Sequence, residues 1–126
     1  MKKTILIAED DKAISEAIKL QLESEGYKSI STDSIKKILP MISKYHPGLV
    51  ILDILLADGN SIKIAKLIKR KKTKTPIIMV TARTNSGQYV KKGIVDDYLE
   101  KPFDMQDLIN SVNKWFNQPL AYNQNL

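Results

Sequence analysis

Glu9, Asp10, Asp53, Thr81 and Lys101 each stand at or just past the end of a short run of strand-forming residues. Ile5-Leu6-Ile7-Ala8 leads into Glu9-Asp10-Asp11, and Leu49-Val50-Ile51-Leu52 into Asp53. Ile77-Ile78-Met79-Val80 leads into Thr81, and Tyr98-Leu99-Glu100 into Lys101-Pro102. If these runs are neighbours in one parallel sheet, three acids, a hydroxyl and an amine share one pocket. Glu9, Asp10 and Asp53 would then repel, so one is protonated or a cation sits among them. An all-oxygen donor set suits Mg²⁺, with Mn²⁺ as a substitute. Lys101 supplies a fixed positive charge and Thr81 a donor, which suit the oxygens of a transferring phosphoryl group. One carboxylate is then the nucleophile, giving an aspartyl phosphate. Asp53, the lone acid at the tip of the most apolar strand, is best placed for that. Glu9 and Asp10 are better placed to hold metal, and Asp11 to cap a helix.

The elements that must position these groups alternate along the whole chain. Residues 4–9 read as the first strand, because continuous apolar runs are typical of strands covered on both faces. Asp11 caps a helix over residues 12–25, with Ile14, Ala17, Ile18 and Leu22 on one face and Gly26 as its stop. A weak strand at 27–31 precedes a helix begun by Asp33 or Ser34, which Pro40 should bend or delay. Strand three ends at Asp53, and Asp58-Gly59-Asn60 forms a turn. Helix three covers 61–71 with Ile64, Ala65, Leu67 and Ile68 inward. Strand four ends at Thr81. Residues 83–93 show the poorest helical pattern, so the fourth helix is expected to be short or irregular. Strand five covers 95–100. Asp104 caps a last helix with Met105, Leu108, Ile109, Val112 and Phe116 at i, i+3/i+4 spacing. Five βα units in succession predict an α/β fold, a doubly wound five-stranded parallel sheet. Ligands of such sheets bind beyond the carboxyl ends of the strands. Residues 1–118 are expected to form one domain and 119–126 a tail.

Composition narrows the function classes. The 126 residues contain no Cys, so there is no disulfide scaffold and a cytoplasmic setting is expected. No apolar stretch approaches the ~20 residues that span a bilayer, and the N-terminus is too briefly basic for a signal peptide. The net charge is +6, much of it from Lys63 through Lys74. An anionic partner is one reading of that stretch. The plainer one, a solvated helix face running into a polar loop, outweighs it, because no aromatic or Gly-rich elements accompany the run. His46, the single histidine, lies on the far edge of the sheet and has no assigned role.

Together the stretches ILIAEDD (5–11), LVILDILLADG (49–59), IIMVTA (77–82) and DDYLEKPF (96–103) make the chain resemble a response-regulator receiver domain of two-component signalling, a CheY-like fold with strand order 2-1-3-4-5. The resemblance implies that Asp53 is the phospho-acceptor. Asp10 contacts Mg²⁺ directly, Glu9 helps position it, and the Leu55 backbone carbonyl completes its shell. Thr81 is the switch hydroxyl, Lys101 pairs with phosphate oxygens, and Tyr98 is the aromatic switch residue. It also implies that the Lys101-Pro102 peptide is cis, and that Leu55 and Arg83 occupy the positions that tune phosphoryl lifetime. The implied partners are a sensor histidine kinase or histidine phosphotransfer protein, and a downstream protein target or missing output domain. Neither direct nucleic-acid binding nor membrane insertion is expected. The chain is expected to catalyse only its own phosphorylation and dephosphorylation.

The sequence departs from that pattern where Ala57 replaces a usual proline, where Ser61 replaces a common glycine, and where the interval from Thr81 to Lys101 is slightly short. Two other readings compete. A receiver-like interaction module working without phosphorylation is opposed by the intact set of reacting residues. A Mg²⁺-dependent hydrolase or nuclease would need further acids, and no P-loop or Rossmann glycines are present.

Overall fold

Every residue of Leu49–Asp53 and Ile77–Thr81 is buried, as central strands with helices on both faces must be. The computed structural model describes residues 3–71, 74–82 and 85–117. Its elements run β1 (Thr4–Ala8), α1 (Lys12–Ser24), β2 (Lys28–Thr32), α2 (Ile35–Tyr45), β3 (Leu49–Asp53), β4 (Leu55–Leu56), β5 (Gly59–Asn60), α3 (Ile62–Arg70), β6 (Ile77–Thr81), α4 (Gly87–Lys91), β7 (Asp97–Glu100) and α5 (Met105–Phe116). Five strands pair in the order β2-β1-β3-β6-β7, all parallel. That is the expected doubly wound α/β sheet, a flavodoxin-like fold. β4 and β5 form a separate two-stranded antiparallel ribbon, where a simple turn was expected.

Alternate strand residues feed two cores. Ile5, Ile7, Leu49, Ile51, Ile78 and Val80 pack with Ile18 and Leu22 of α1 and Leu108, Ile109 and Val112 of α5. Leu6, Ala8, Val50, Leu52, Ile77 and Met79 pack with Ile38 of α2 and with Ala65 and Ile68 of α3. Each fully buried Ile or Leu contributes about 1.5–3 kcal/mol relative to exposure. Two residues expected to face inward do not. Ala17 is exposed, and Leu67 keeps 39% of its surface, because α1 and α3 each touch the sheet along a narrow stripe.

Asp11 and Asp104 cap α1 and α5 as expected, accepting from Ile14 N–H and Gln106 N–H respectively. Gly26 follows α1 at φ +94°, a conformation suited to glycine. Pro40 lies inside α2 without interrupting it or delaying its start. α4 has only five residues, so the short fourth helix is present. Residues 118–126 lie outside the described residues.

Gly48 closes the turn into β3, where a Cβ would stand 2.6 Å from Phe116 Cε1. Phe116 stacks on Tyr27 with centroids 5.3 Å apart, so the ring has little room to retreat. Gly48→Ala is therefore expected to cost about 1–3 kcal/mol by overpacking, read as a lower denaturant midpoint with an unchanged slope.

Candidate functional site

β1 and β3 are adjacent strands with Ala8 paired to Leu52, so Glu9 and Asp53 emerge side by side at the same edge. β6 lies on the other side of β3, with Asp53 paired to Val80. That puts Thr81 one residue beyond Asp53's partner. Thr81 pairs in turn with Glu100, and its carbonyl accepts from Lys101 N–H at 2.7 Å. The Lys101-Pro102 peptide is cis, as the resemblance implied.

Lys101 Nζ lies 2.8 Å from Asp53 Oδ2 and 2.8 Å from Glu9 Oε1. Glu9, Asp53 and Thr81 are buried, at 2%, 6% and 1% exposure, whereas Asp10 faces solvent. Asp53 Oδ1 accepts from Leu55 N–H at 3.3 Å, and Glu9 Oε2 accepts from Asp11 N–H at 3.1 Å. Glu9 Oε1 is the one buried side-chain polar atom among the described residues that lacks a hydrogen bond. Its contact with Lys101 is an ion pair without hydrogen-bond alignment. One oxygen each from Glu9, Asp10 and Asp53 lie within 4.8 Å of one another.

This set fits a hard divalent cation. Three acids against one ammonium leave a surplus of negative charge, all donors are oxygen, and one buried oxygen has an ion pair but no hydrogen bond. Burial raises the Glu9 carboxyl above its ordinary value despite the opposing pull of Lys101 and the Asp11 N–H. Burial works to lower the Lys101 ammonium, but its short polar contacts with Asp53 and Glu9 and their negative charge outweigh that and raise it.

The Glu9 shift has a consequence for stability. Without Mg²⁺, the native state holds the Glu9 proton at a pH where the unfolded chain has released it. The stability tied to this group is full below its ordinary value of 4.5 and is lost as pH rises through the folded value. Glu9→Gln is expected to flatten that part of the pH–stability profile. It should raise the Mg²⁺-free unfolding midpoint at neutral pH by about 3–5 °C, roughly 1 kcal/mol. Thermal melts across pH check this.

A family model described as the response regulator receiver domain matches residues 5–113. The chain belongs to that family. It is 35% identical over 112 residues to the phosphate regulon transcriptional regulatory protein PhoB of Pseudomonas aeruginosa, covering 85% of this chain and 48% of that protein. The chain thus spans about half the length of the curated relatives it matches. The Mg²⁺–BeF complex of response regulator TrrA from Thermotoga maritima superposes with TM-score 0.81 at 29% identity, covering 90% of this chain and 98% of that one. A CheY-like receiver from Methanospirillum hungatei gives TM-score 0.86 at 26% identity, covering 94% and 96%.

The receiver's remaining candidate residues are placed as follows. Leu55 opens β4, half exposed, and pairs with Asn60. Tyr98 sits in β7, partly buried, with its hydroxyl against Gly87 at the start of α4. Arg83 lies outside the described residues. Two supporting residues escaped the sequence reading. Ser61 is fully buried and donates its hydroxyl to the Asp53 carbonyl at 2.6 Å, tying the loop after Asp53 back onto that residue. Asp58 accepts from Ser34 Oγ and Ile35 N–H at 2.8 Å each and from Lys36 N–H at 3.3 Å. Those contacts, the Ile35 N–H first, lower its carboxyl to about 2. Asp58 therefore caps α2 from across the fold, a role expected of Asp33 or Ser34. The only signal available was an acid at a tight turn.

Proposed function

We propose that this receiver takes a phosphoryl group from a phosphohistidine onto Asp53 in a Mg²⁺-dependent reaction. The observation that carries the reading is the Lys101 ammonium, 2.8 Å from both Asp53 and buried Glu9, with Asp10 completing the acid trio. In the reaction, an Asp53 carboxylate oxygen attacks phosphorus, the histidine N–P bond breaks, and the imidazole leaves with the bond's electron pair. Lys101 and the Leu55 N–H hold the carboxylate in one orientation before attack. Afterwards Lys101 turns from carboxylate partner to phosphate partner, and the Thr81 hydroxyl donates to a phosphate oxygen. Asp10, Asp53, the Leu55 carbonyl and, less directly, Glu9 would hold the Mg²⁺, which neutralises charge developing on the phosphoryl oxygens.

The added charge at Asp53 is the switch. Thr81 and Tyr98 carry it towards α4. The donor is a sensor histidine kinase or a histidine phosphotransfer protein, and the recipient of the signal is a protein target or an output domain. The test is intact-protein mass after incubation with acetyl phosphate and Mg²⁺. Addition of one phosphoryl group, blocked by chelator, supports the reading. An unmodified protein, beside another receiver that reacts, overturns it and leaves the phosphorylation-independent interaction module.

A further inference from the structure

The two helical faces of the sheet differ in charge. On the α1–α5 face, Lys12 and Lys19 are balanced by Glu16 and Glu23, and Lys114 by Asp107. On the other face, α2, α3 and α4 contain no acid at all, while they carry three, four and one Lys or Arg respectively. The positive charge is thus a property of one side of the molecule rather than of the 63–74 stretch alone.

A groove of about 510 Å³ lies on that side, between α3 and the turn after α4. Lys66, Lys69, Arg70, Lys92, Gly93 and Ile94 line it. Lys69 is committed to the fold, because its ammonium meets Asp96 at 2.7 Å and the Thr75 carbonyl at 3.2 Å. Asp96 Oδ2 also accepts from Ile77 N–H at 2.8 Å, so this acid and Lys69 offset one another. Lys66, Arg70 and Lys92 form no ion pair with any described acid. Lys66 and Arg70 stand four residues apart on one helix face, where like charges repel. An anionic occupant would relieve that repulsion.

We propose that this groove is a docking site for an acidic protein segment carrying aliphatic anchors. Charge complementarity selects the acids. The apolar part follows from Ile94 in the groove wall; Leu67, next to Lys66 in sequence but outside the lining, keeps 39% of its surface exposed. A phosphate backbone makes use of cations but offers nothing to an aliphatic side chain, and no exposed aromatic platform for bases lines the groove. A peptide in which Glu or Asp flanks Leu answers both features. Its approach is steered by the basic, acid-free helices of that face and weakens with salt.

The test uses a short fluorescein-labelled peptide alternating Glu and Leu, titrated with the full chain at low and physiological ionic strength and read by anisotropy. Saturable binding is expected, weaker at the higher salt. Lys66→Gln/Arg70→Gln/Lys92→Gln should weaken it at least about tenfold, with an unchanged circular dichroism spectrum. Lys19→Gln/Lys114→Gln on the opposite face should leave it unchanged. Equal binding by the triple variant overturns the proposal, as does equal binding of a peptide with Gln in place of Glu. Tighter binding of a short DNA duplex or a phosphatidylserine vesicle than of the peptide also overturns it.

Discussion

Asp53→Asn is expected to abolish phosphorylation by acetyl phosphate and to leave the fold standing. The amide keeps the shape of the carboxylate, so the buried space stays filled, but its oxygen is neutral and cannot form the acyl phosphate. Two electrostatic changes oppose each other in the ground state. The substitution removes the 2.8 Å ion pair with Lys101, and it also removes one of three mutually repelling acids. Lys101 retains Glu9 at 2.8 Å. The net change in Mg²⁺-free stability should stay within about 1 kcal/mol. Mg²⁺ affinity should fall at least about tenfold, since a charged oxygen donor is lost. Intact mass, thermal melts and a Mg²⁺ titration separate the three effects. A variant that still gains a phosphoryl group would move the acceptor elsewhere.

The candidate site was legible because the positions of its residues are local. A polar residue that ends a continuous apolar run is a strand tip, and strand tips of a parallel sheet share an edge, so Glu9, Asp53, Thr81 and Lys101 could be brought together on paper. The succession of βα units predicts a parallel doubly wound sheet, and the order of its strands comes only with the receiver resemblance. The weak helical pattern after Thr81 likewise translated into a five-residue α4.

What escaped depends on contacts between distant residues. Asp58 caps a helix that begins 23 residues earlier, and no periodicity reports that distance. Its cap also explains why Pro40 does not delay α2. The first-turn N–H groups of Ile35 and Lys36 are satisfied from outside, so the helix can start at once, and the hydrogen bond that proline lacks falls a turn later. Ser61 stands where the resemblance makes glycine common, a departure that predicts a loosened or reshaped loop. Its hydroxyl instead ties the loop to the Asp53 carbonyl. Leu67 fits an apolar stripe by residue type, yet the buried residues of α3 are Ala65 and Ile68, and Leu67 keeps 39% of its surface.

Lys101→Met should separate catalysis from metal binding. Methionine fills a similar volume without charge or donors, so neither the phosphoryl oxygens nor the two carboxylates find an ammonium. The phosphorylation rate at saturating Mg²⁺ is expected to fall about 10²–10³-fold, the usual cost of removing one preorganised donor to developing negative charge. Mg²⁺ affinity should move the other way. Lys101 is the cation that now sits 2.8 Å from both Glu9 and Asp53, and removing it deepens the negative potential that attracts a divalent ion. A tightening of about tenfold is expected. Without Mg²⁺ the variant should be less stable than the native protein near neutral pH, because Glu9 remains buried at 2% exposure with its compensating charge gone. Lowering the pH should recover part of that loss as Glu9 takes up a proton, and saturating Mg²⁺ should recover more. Phosphorylation kinetics, a Mg²⁺ titration and melts with and without the ion check the three directions. Parallel losses of rate and Mg²⁺ affinity would show that Lys101 only supports the pocket's shape.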